Sequence, residues 1–286
     1  MKPGTLFIVA TPIGNLGDIT LRALDTLRSV DRIAAEDTRH TRKLLTHFDI
    51  HKPLASYHSR NADRRGPELL QRIQGGEDIA LVTDAGTPGI SDPGALLVRQ
   101  AVEKGIKVSA IPGPSAFIMA LVASGLPTHP FAFLGFPPAR GAGRRRFFSS
   151  YADLPMTLIL YESPQRLRRT LDDLLHAWGN RRIVVARELT KKFEEVFRGS
   201  VTDAQLHYAD EIKGEITLVV AGSGLEGGEE RKVDECEWPD ELKQLIHHSG
   251  VSVKAAADKI ARRYGLPRRT VYQKALRLKS GLNDGD

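Results

Sequence analysis

Apolar and polar positions divide the first 126 residues into alternating strands and helices. Leu6-Phe7-Ile8-Val9-Ala10 is an apolar run of strand length. Leu21, Leu24 and Leu27 follow at helical spacing, with Asp18 or Thr20 placed to cap that helix. Residues 32–35 form a second strand and 41–48 a second helix, while 79–83 and 107–111 are strands, each followed by helical pattern. Such alternation predicts a parallel sheet covered by helices. Residues 127–224 read differently. Strands are expected near 131–136, 157–161, 182–186, 194–198 and 215–220, with helices near 165–178 and 203–208. That pattern predicts a second α/β domain with a mixed sheet.

Residues 225–238 read as an acidic, Gly- and Glu-rich linker, and 239–286 as a basic helical tail. In the tail, Pro239 suits a first helical position, and Leu242, Leu245 and Ile246 give an apolar stripe. Ser252 caps a second helix bearing Val253, Ala256, Ala257 and Ile260, which Gly265 stops. Pro267 opens a third, with Val271, Ala275 and Leu278 on one face. Three short helices with a turn at 264–267 match a helix-turn-helix outline. In that outline Arg268, Arg269 and Lys274 of the third helix face nucleic acid.

Charge sharpens this division. Of the net +6 at pH 7, residues 241–286 carry the whole, with ten Lys/Arg against four Asp/Glu, whereas 226–240 carries seven acids and two bases. A basic tail behind an acidic connector points to a nucleic-acid partner. The basic run Arg140-Gly141-Ala142-Gly143-Arg144-Arg145-Arg146 reads as a glycine-spaced loop offering Arg140, Arg144, Arg145 and Arg146 to phosphates. Cys236 is the only cysteine, which excludes an intramolecular disulfide and a multi-cysteine zinc site and suits a reducing cytoplasm. No apolar run approaches the roughly 20 residues of a membrane span, and the first strand begins too early for a signal peptide. His47 and His51 are helically spaced but have no third ligand in view, so no metal is expected.

Three loops carry the candidate chemistry: residues 11–18 after the first strand, Asp84-Ala85-Gly86-Thr87-Pro88-Gly89-Ile90-Ser91-Asp92-Pro93-Gly94, and Ile111-Pro112-Gly113-Pro114-Ser115. All follow the carboxyl ends of expected parallel strands, so they should share one edge of the sheet, where such sheets bind ligands. None is a GxGxxG or Walker loop, and prolines remove N–H donors, so a polyphosphate is a poor fit.

With residues 35–41 (Ala-Glu-Asp-Thr-Arg-His-Thr), Tyr161-Glu162-Ser163 and residues 186–191 (Ala-Arg-Glu-Leu-Thr-Lys), these loops resemble the tetrapyrrole-methylase superfamily, and within it the branch acting on ribosomal RNA. The motifs run in order from Leu6 to about Ala221, and the basic tail fits that branch. The resemblance implies two α/β domains, a homodimer, and S-adenosylmethionine held in the cleft between the domains. It implies a 2′-O-methylated cytidine in the decoding region of small-subunit RNA as product. Carried over by motif, Pro12, Gly14, Asp84, Gly86, Thr87, Pro88, Ser115 and Tyr161 are the cofactor candidates.

A ribose hydroxyl is a poor nucleophile and benefits from a positioned base. Glu36, Asp37, Arg39 and His40 lie just past a strand's carboxyl end, so Glu36 or Asp37 could take the proton and Arg39 hold a phosphate. The alternative for Glu36 and Asp37 is helix capping and an ion pair to Arg39. Glu188 and Lys191 are further candidates from the second domain. Two other functions fit parts of the pattern: methylation of a tetrapyrrole or another small substrate, and ligand-sensing regulation by a non-catalytic nucleic-acid binder. The basic segments argue against the first, and the acidic-basic cluster beside the loops against the second.

Overall fold

The computed structural model describes residues 2–224, 242–246, 252–264 and 268–279. The chain divides into two compact units, Met1–Glu226 and Gly227–Asp286.

In the first unit, β1 (Thr5–Val9), β2 (Arg32–Ala35), β3 (Leu54–Ser56), β4 (Ile79–Val82) and β5 (Lys107–Ile111) form an all-parallel sheet in the order β3-β2-β4-β1-β5. Alternate side chains serve opposite faces, as a pleat requires. Leu6, Ile8, Ile79 and Leu81 pack under α3 (Ala62–Gln74) and α4 (Gly94–Glu103). Val9, Ile33, Ala80 and Val82 pack under α1 (Leu21–Ser29) and α2 (Thr38–His47). Both faces are covered, which is why these strands read as unbroken apolar runs. Of the two expected caps on α1, Thr20 serves: its hydroxyl accepts from Ala23 N at 3.1 Å.

Helix α5 (Ala116–Ser124) precedes the expected boundary at residue 126, yet its Ala120 and Leu121 are buried against the second sheet. That sheet contains β6 (Phe131–Phe133), β7 (Thr157–Glu162), β8 (Arg182–Arg187), β9 (Glu195–Ser200) and β10 (Ile216–Val220), ordered β6-β7-β10-β8-β9. Only β6 and β7 run parallel, so the sheet is mixed, as expected. Its other face packs on α6 (Gly141–Tyr151), α7 (Leu167–Trp178) and α8 (Val201–His207).

The expected loop at 140–146 is instead the start of α6. Arg144 and Phe148, four residues apart, are both buried on its inner face. Strand β3 and helix α3 had no counterpart in the sequence reading.

In the second unit, Leu242, Ala256, Ala257, Ile260, Val271 and Ala275 make a small core of their own. They come from helical residues 242–246, Val253–Tyr264 and Arg268–Lys279. Ser252 caps as expected, its hydroxyl accepting from Ala255 N at 3.2 Å. The linker 225–238, Pro239, Gly265 and Pro267 lie outside the described residues, as do the side chains of Arg268 and Arg269.

Candidate active site

Strands β1 and β4 are neighbours, so the loops leaving them meet. Thr11 N donates to Gly86 O at 2.9 Å and Gly86 N to Thr11 O at 3.0 Å, a two-bond bridge between the first and second loops. Gly86 holds φ +81°, a left-handed conformation that only glycine adopts without strain. Thr87 Oγ1 donates to Pro114 O at 3.2 Å and ties the second loop to the third. Asp92 folds the second loop on itself, accepting from Gly89 N at 2.8 Å and Gly94 N at 2.7 Å. The three proline-glycine bends therefore converge on one rim.

They border a cleft of about 460 Å³ closed from the other side by the second sheet. Its first wall is Ile13, Glu36, Thr83–Thr87, Ile90–Asp92, Ser115 and Ala116; its second is Phe136, Tyr161–Pro164, Ala186, Leu189 and 214–217. A half-buried Tyr161 joins the walls, its hydroxyl accepting from Phe117 N at 3.3 Å. Its ring meets Phe133 at 4.9 Å and Phe136 at 5.4 Å between centroids. Burial raises the Tyr161 pKa, partly offset by the bond from Phe117, so the phenol stays neutral.

Five carboxylates line the cleft: Glu36, Asp84, Asp92, Glu162 and Glu215; among the described lining residues there is no Lys, Arg or His. Asp84 accepts from Asp37 N at 3.0 Å. Burial raises its pKa; that bond opposes the shift and the nearby Glu36 charge adds to it. Glu36 Oε2 accepts from Thr83 Oγ1 at 2.6 Å, and its other oxygen carries no hydrogen bond among the described residues. Glu162 is committed to structure: it accepts from Ser163 N at 2.8 Å, Arg166 Nε at 2.6 Å and Thr170 Oγ1 at 2.5 Å. Glu215 accepts from Lys191 Nζ at 2.9 Å, and Lys191 also donates to Glu188 at 2.8 Å. Burial works against the Lys191 ammonium, but these two partners outweigh it and raise its pKa. A Cβ on Gly14 would strike the Lys191 side chain, so the loop after β8 lies against the first loop.

Asp84, Gly86, Thr87, Ser115 and Tyr161 thus line the cleft together with Glu36. Pro12, Gly14 and Pro88 do not: the two prolines are buried within their loops, and Gly14 is exposed beneath Lys191. Asp37 is corrected from candidate base to helix cap. It accepts from Arg39 N at 2.8 Å and pairs with Arg39 Nη2 at 2.8 Å. The Arg39 guanidinium holds its carboxyl far below the usual carboxylate range, where a carboxylate is a weak base. Arg39 and His40 are exposed on the first turn of α2, outside the cleft wall.

Arg144 is also corrected. Its side chain is 2% exposed, bonded to Asp173 at 2.6 Å, Thr170 at 2.8 Å and Pro138 O at 2.9 Å, so no phosphate reaches it. Arg140, Arg145 and Arg146 are exposed. Lys274 is half-buried. Asp92, Glu215 and Phe136 were not foreseen as lining; Asp92 and Phe136 lie inside segments with their own motifs, whereas Glu215 stands just before β10 with no local signal.

Known proteins share this architecture. A solved diphthine synthase superposes with TM-score 0.62 at 15% identity, covering 77% of this chain and 90% of that one. Uroporphyrin-III-C-methyltransferase from Thermus thermophilus gives 0.56 at 20%, covering 76% and 94%. The family profile described as Tetrapyrrole (Corrin/Porphyrin) Methylases matches residues 5–205, and the one described as RsmI C-terminal HTH domain matches residues 244–279. The chain is a member of the tetrapyrrole methylase family.

Within it, two curated relatives carry the name Ribosomal RNA small subunit methyltransferase I. That of Halalkalibacterium halodurans is 47% identical over 276 residues, covering 94% of this chain and 93% of its own. That of Pseudomonas aeruginosa is 46% identical over 283 residues, covering 96% and 98%. The chain belongs to the ribosomal RNA small subunit methyltransferase I branch of that family.

Proposed function

We propose that the protein transfers a methyl group from S-adenosylmethionine to the ribose 2′-oxygen of a cytidine in the decoding region of small-subunit ribosomal RNA. The carrying observation is the charge of the cleft: Glu36, Asp84 and Asp92 line it with no ion pair among the described residues, Glu162 and Glu215 are paired to Arg166 and Lys191, and no described lining residue is cationic. S-adenosylmethionine is a cation overall, with a sulfonium, an ammonium and one carboxylate, so this wall complements it. A cleft of about 460 Å³ is within the range for small-molecule sites, roughly 300–1,000 Å³. When bound, the cofactor supplies an already activated methyl group, and in-line alignment of oxygen, methyl and sulfur is what remains for the protein to arrange.

Asp84, Gly86, Thr87, Ser115 and Tyr161 are the residues proposed to hold the cofactor. Gly86 brings backbone to the cleft, and Asp84 offers a carboxylate oxygen to a cofactor hydroxyl or amine. Glu36 is proposed to take the 2′-hydroxyl proton on its unbonded oxygen, while Thr83 fixes the carboxylate. Arg140, Arg145, Arg146, Arg268, Arg269 and Lys274 are proposed RNA contacts. The ribosomal substrate comes from the names of the relatives, and the ribose position and cytidine from the family resemblance. A cytoplasmic homodimer belongs to the same reading.

The test is label transfer from methyl-labelled S-adenosylmethionine into small ribosomal subunits. Glu36→Gln is expected to lower kcat by about 10²–10⁴-fold, while calorimetry shows a far smaller loss of cofactor affinity from the one wall charge removed. Wild-type turnover on a tetrapyrrole but not on RNA would reverse the substrate assignment.

A further inference from the structure

The outer face of α2 has a charge pattern that folding does not explain. Thr41, Leu44 and Leu45 bury its inner face. Arg39, Arg42, Lys43, Thr46 and His47 recur three and four residues apart on the outer face and line one shallow depression. Arg42 and Lys43 are exposed and have no hydrogen bond or ion pair among the described residues. Among the described residues Arg39, four residues before Lys43, is paired only within its own turn, to Asp37. Like charges at this spacing destabilise a helix.

The stripe starts beside the cleft, outside its wall. Glu36, two residues before α2, lines it, and the backbone of the Asp37 cap bonds to Asp84. From Arg39 to His47 the helix then rises by about 12 Å. A ribose whose 2′-oxygen enters the cleft brings its flanking phosphates with it. Those anions cannot follow it into a wall of Glu36, Asp84 and Asp92, because like charges repel strongly where water is scarce. They must stay at the rim, where α2 presents unpaired cations.

We propose that Arg42 and Lys43 form a phosphate site for the RNA strand flanking the target nucleotide, a rail that seats the backbone while the ribose enters the cleft. This rests on the RNA reading above. The stripe lies outside the cleft, so it serves substrate positioning and not cofactor binding.

The test compares the full-length Arg42→Ala/Lys43→Ala variant with Lys104→Ala/Lys107→Ala, which removes equal charge near the amino end of β5, away from the cleft. Small-subunit RNA is the substrate, with anisotropy on a fluorescent RNA fragment as a readout independent of turnover. The α2 variant is expected to raise KM for RNA at least about fivefold and flatten the log-affinity against log-salt slope by about 1.4, or 0.7 per lost contact on single-stranded RNA. Cofactor affinity is expected to hold, the Lys104/Lys107 variant to match wild type, and Arg42→Lys/Lys43→Arg to restore the slope. An unchanged KM and slope, or an equal loss in the Lys104/Lys107 variant, overturns the rail. Absence of wild-type methyl transfer to RNA with a slope that still flattens overturns the methyltransferase reading alone.

Discussion

At the scale of single residues, environment separates carboxylates that look alike in sequence. Asp37 and Asp84 both follow strands, yet one is held down by a guanidinium and the other pushed up by burial. Because the folded-state pKa of Asp84 is raised, its ionised form weakens the fold. That penalty is absent below the unfolded value, about 3.9, and grows as pH rises through the folded value. Asp84→Asn is therefore expected to raise Tm slightly at pH 7, with the gain vanishing in acid. The same variant should bind S-adenosylmethionine at least about tenfold more weakly, through loss of a charge-assisted hydrogen bond. Melts from pH 3 to 8 and calorimetry check both. Arg144 differs from its neighbours in the opposite way to that suggested by its run of arginines. Removing it takes the guanidinium away from the buried Thr170 and Glu162 and the half-buried Asp173, so Arg144→Ala should cost about 3–5 kcal/mol in urea unfolding. Arg145→Ala, on the solvent side, should stay within about 0.5 kcal/mol. The sequence shows that Arg144 is basic; only the helical phase of α6 shows that it points inward.

At the scale of elements, the loops after β1, β4 and β5 were legible because glycine and proline mark turns and strand runs mark their ends. What a sequence does not show is the bridge between Thr11 and Gly86, residues far apart in the chain. Gly86→Val forces a β-branched residue to φ +81° and should cost about 1–3 kcal/mol while loosening cofactor binding. A thermal melt beside a binding titration reads the two effects. Helix α3 escaped the sequence reading because Gly66-Pro67 sits inside it, a pair that ordinarily ends helices. Helix α3 packs on α4 there: a Cβ on Gly66 would come within 2.9 Å of Gln100 Oε1, the end of a side chain that can turn aside. Helix α6 read as a loop for a related reason, since Gly141 and Gly143 open it among arginines.

At the scale of the whole molecule, charge and pattern in the sequence already gave an α/β body followed by a basic tail. The acidic wall of the cleft was only partly visible. Glu36, Asp84 and Asp92 fall in motifs of the first sheet, but Glu162 and Glu215 arrive from the second, brought across by β7 and β10. Each unit has its own core, so a chain ending at residue 224 should retain the cofactor affinity of the full protein and lose RNA affinity. Calorimetry and RNA anisotropy on the shortened chain distinguish this from a tail needed for folding. The central claim concerns which oxygen receives the methyl group. Small ribosomal subunits methylated in vitro, digested with nuclease and sequenced by fragment mass, locate that atom. The expected result is one added methyl on the ribose of a decoding-region cytidine, leaving the adjoining phosphodiester resistant to alkali. A methyl on a base, or none on RNA while a small substrate gains it, would contradict the assignment.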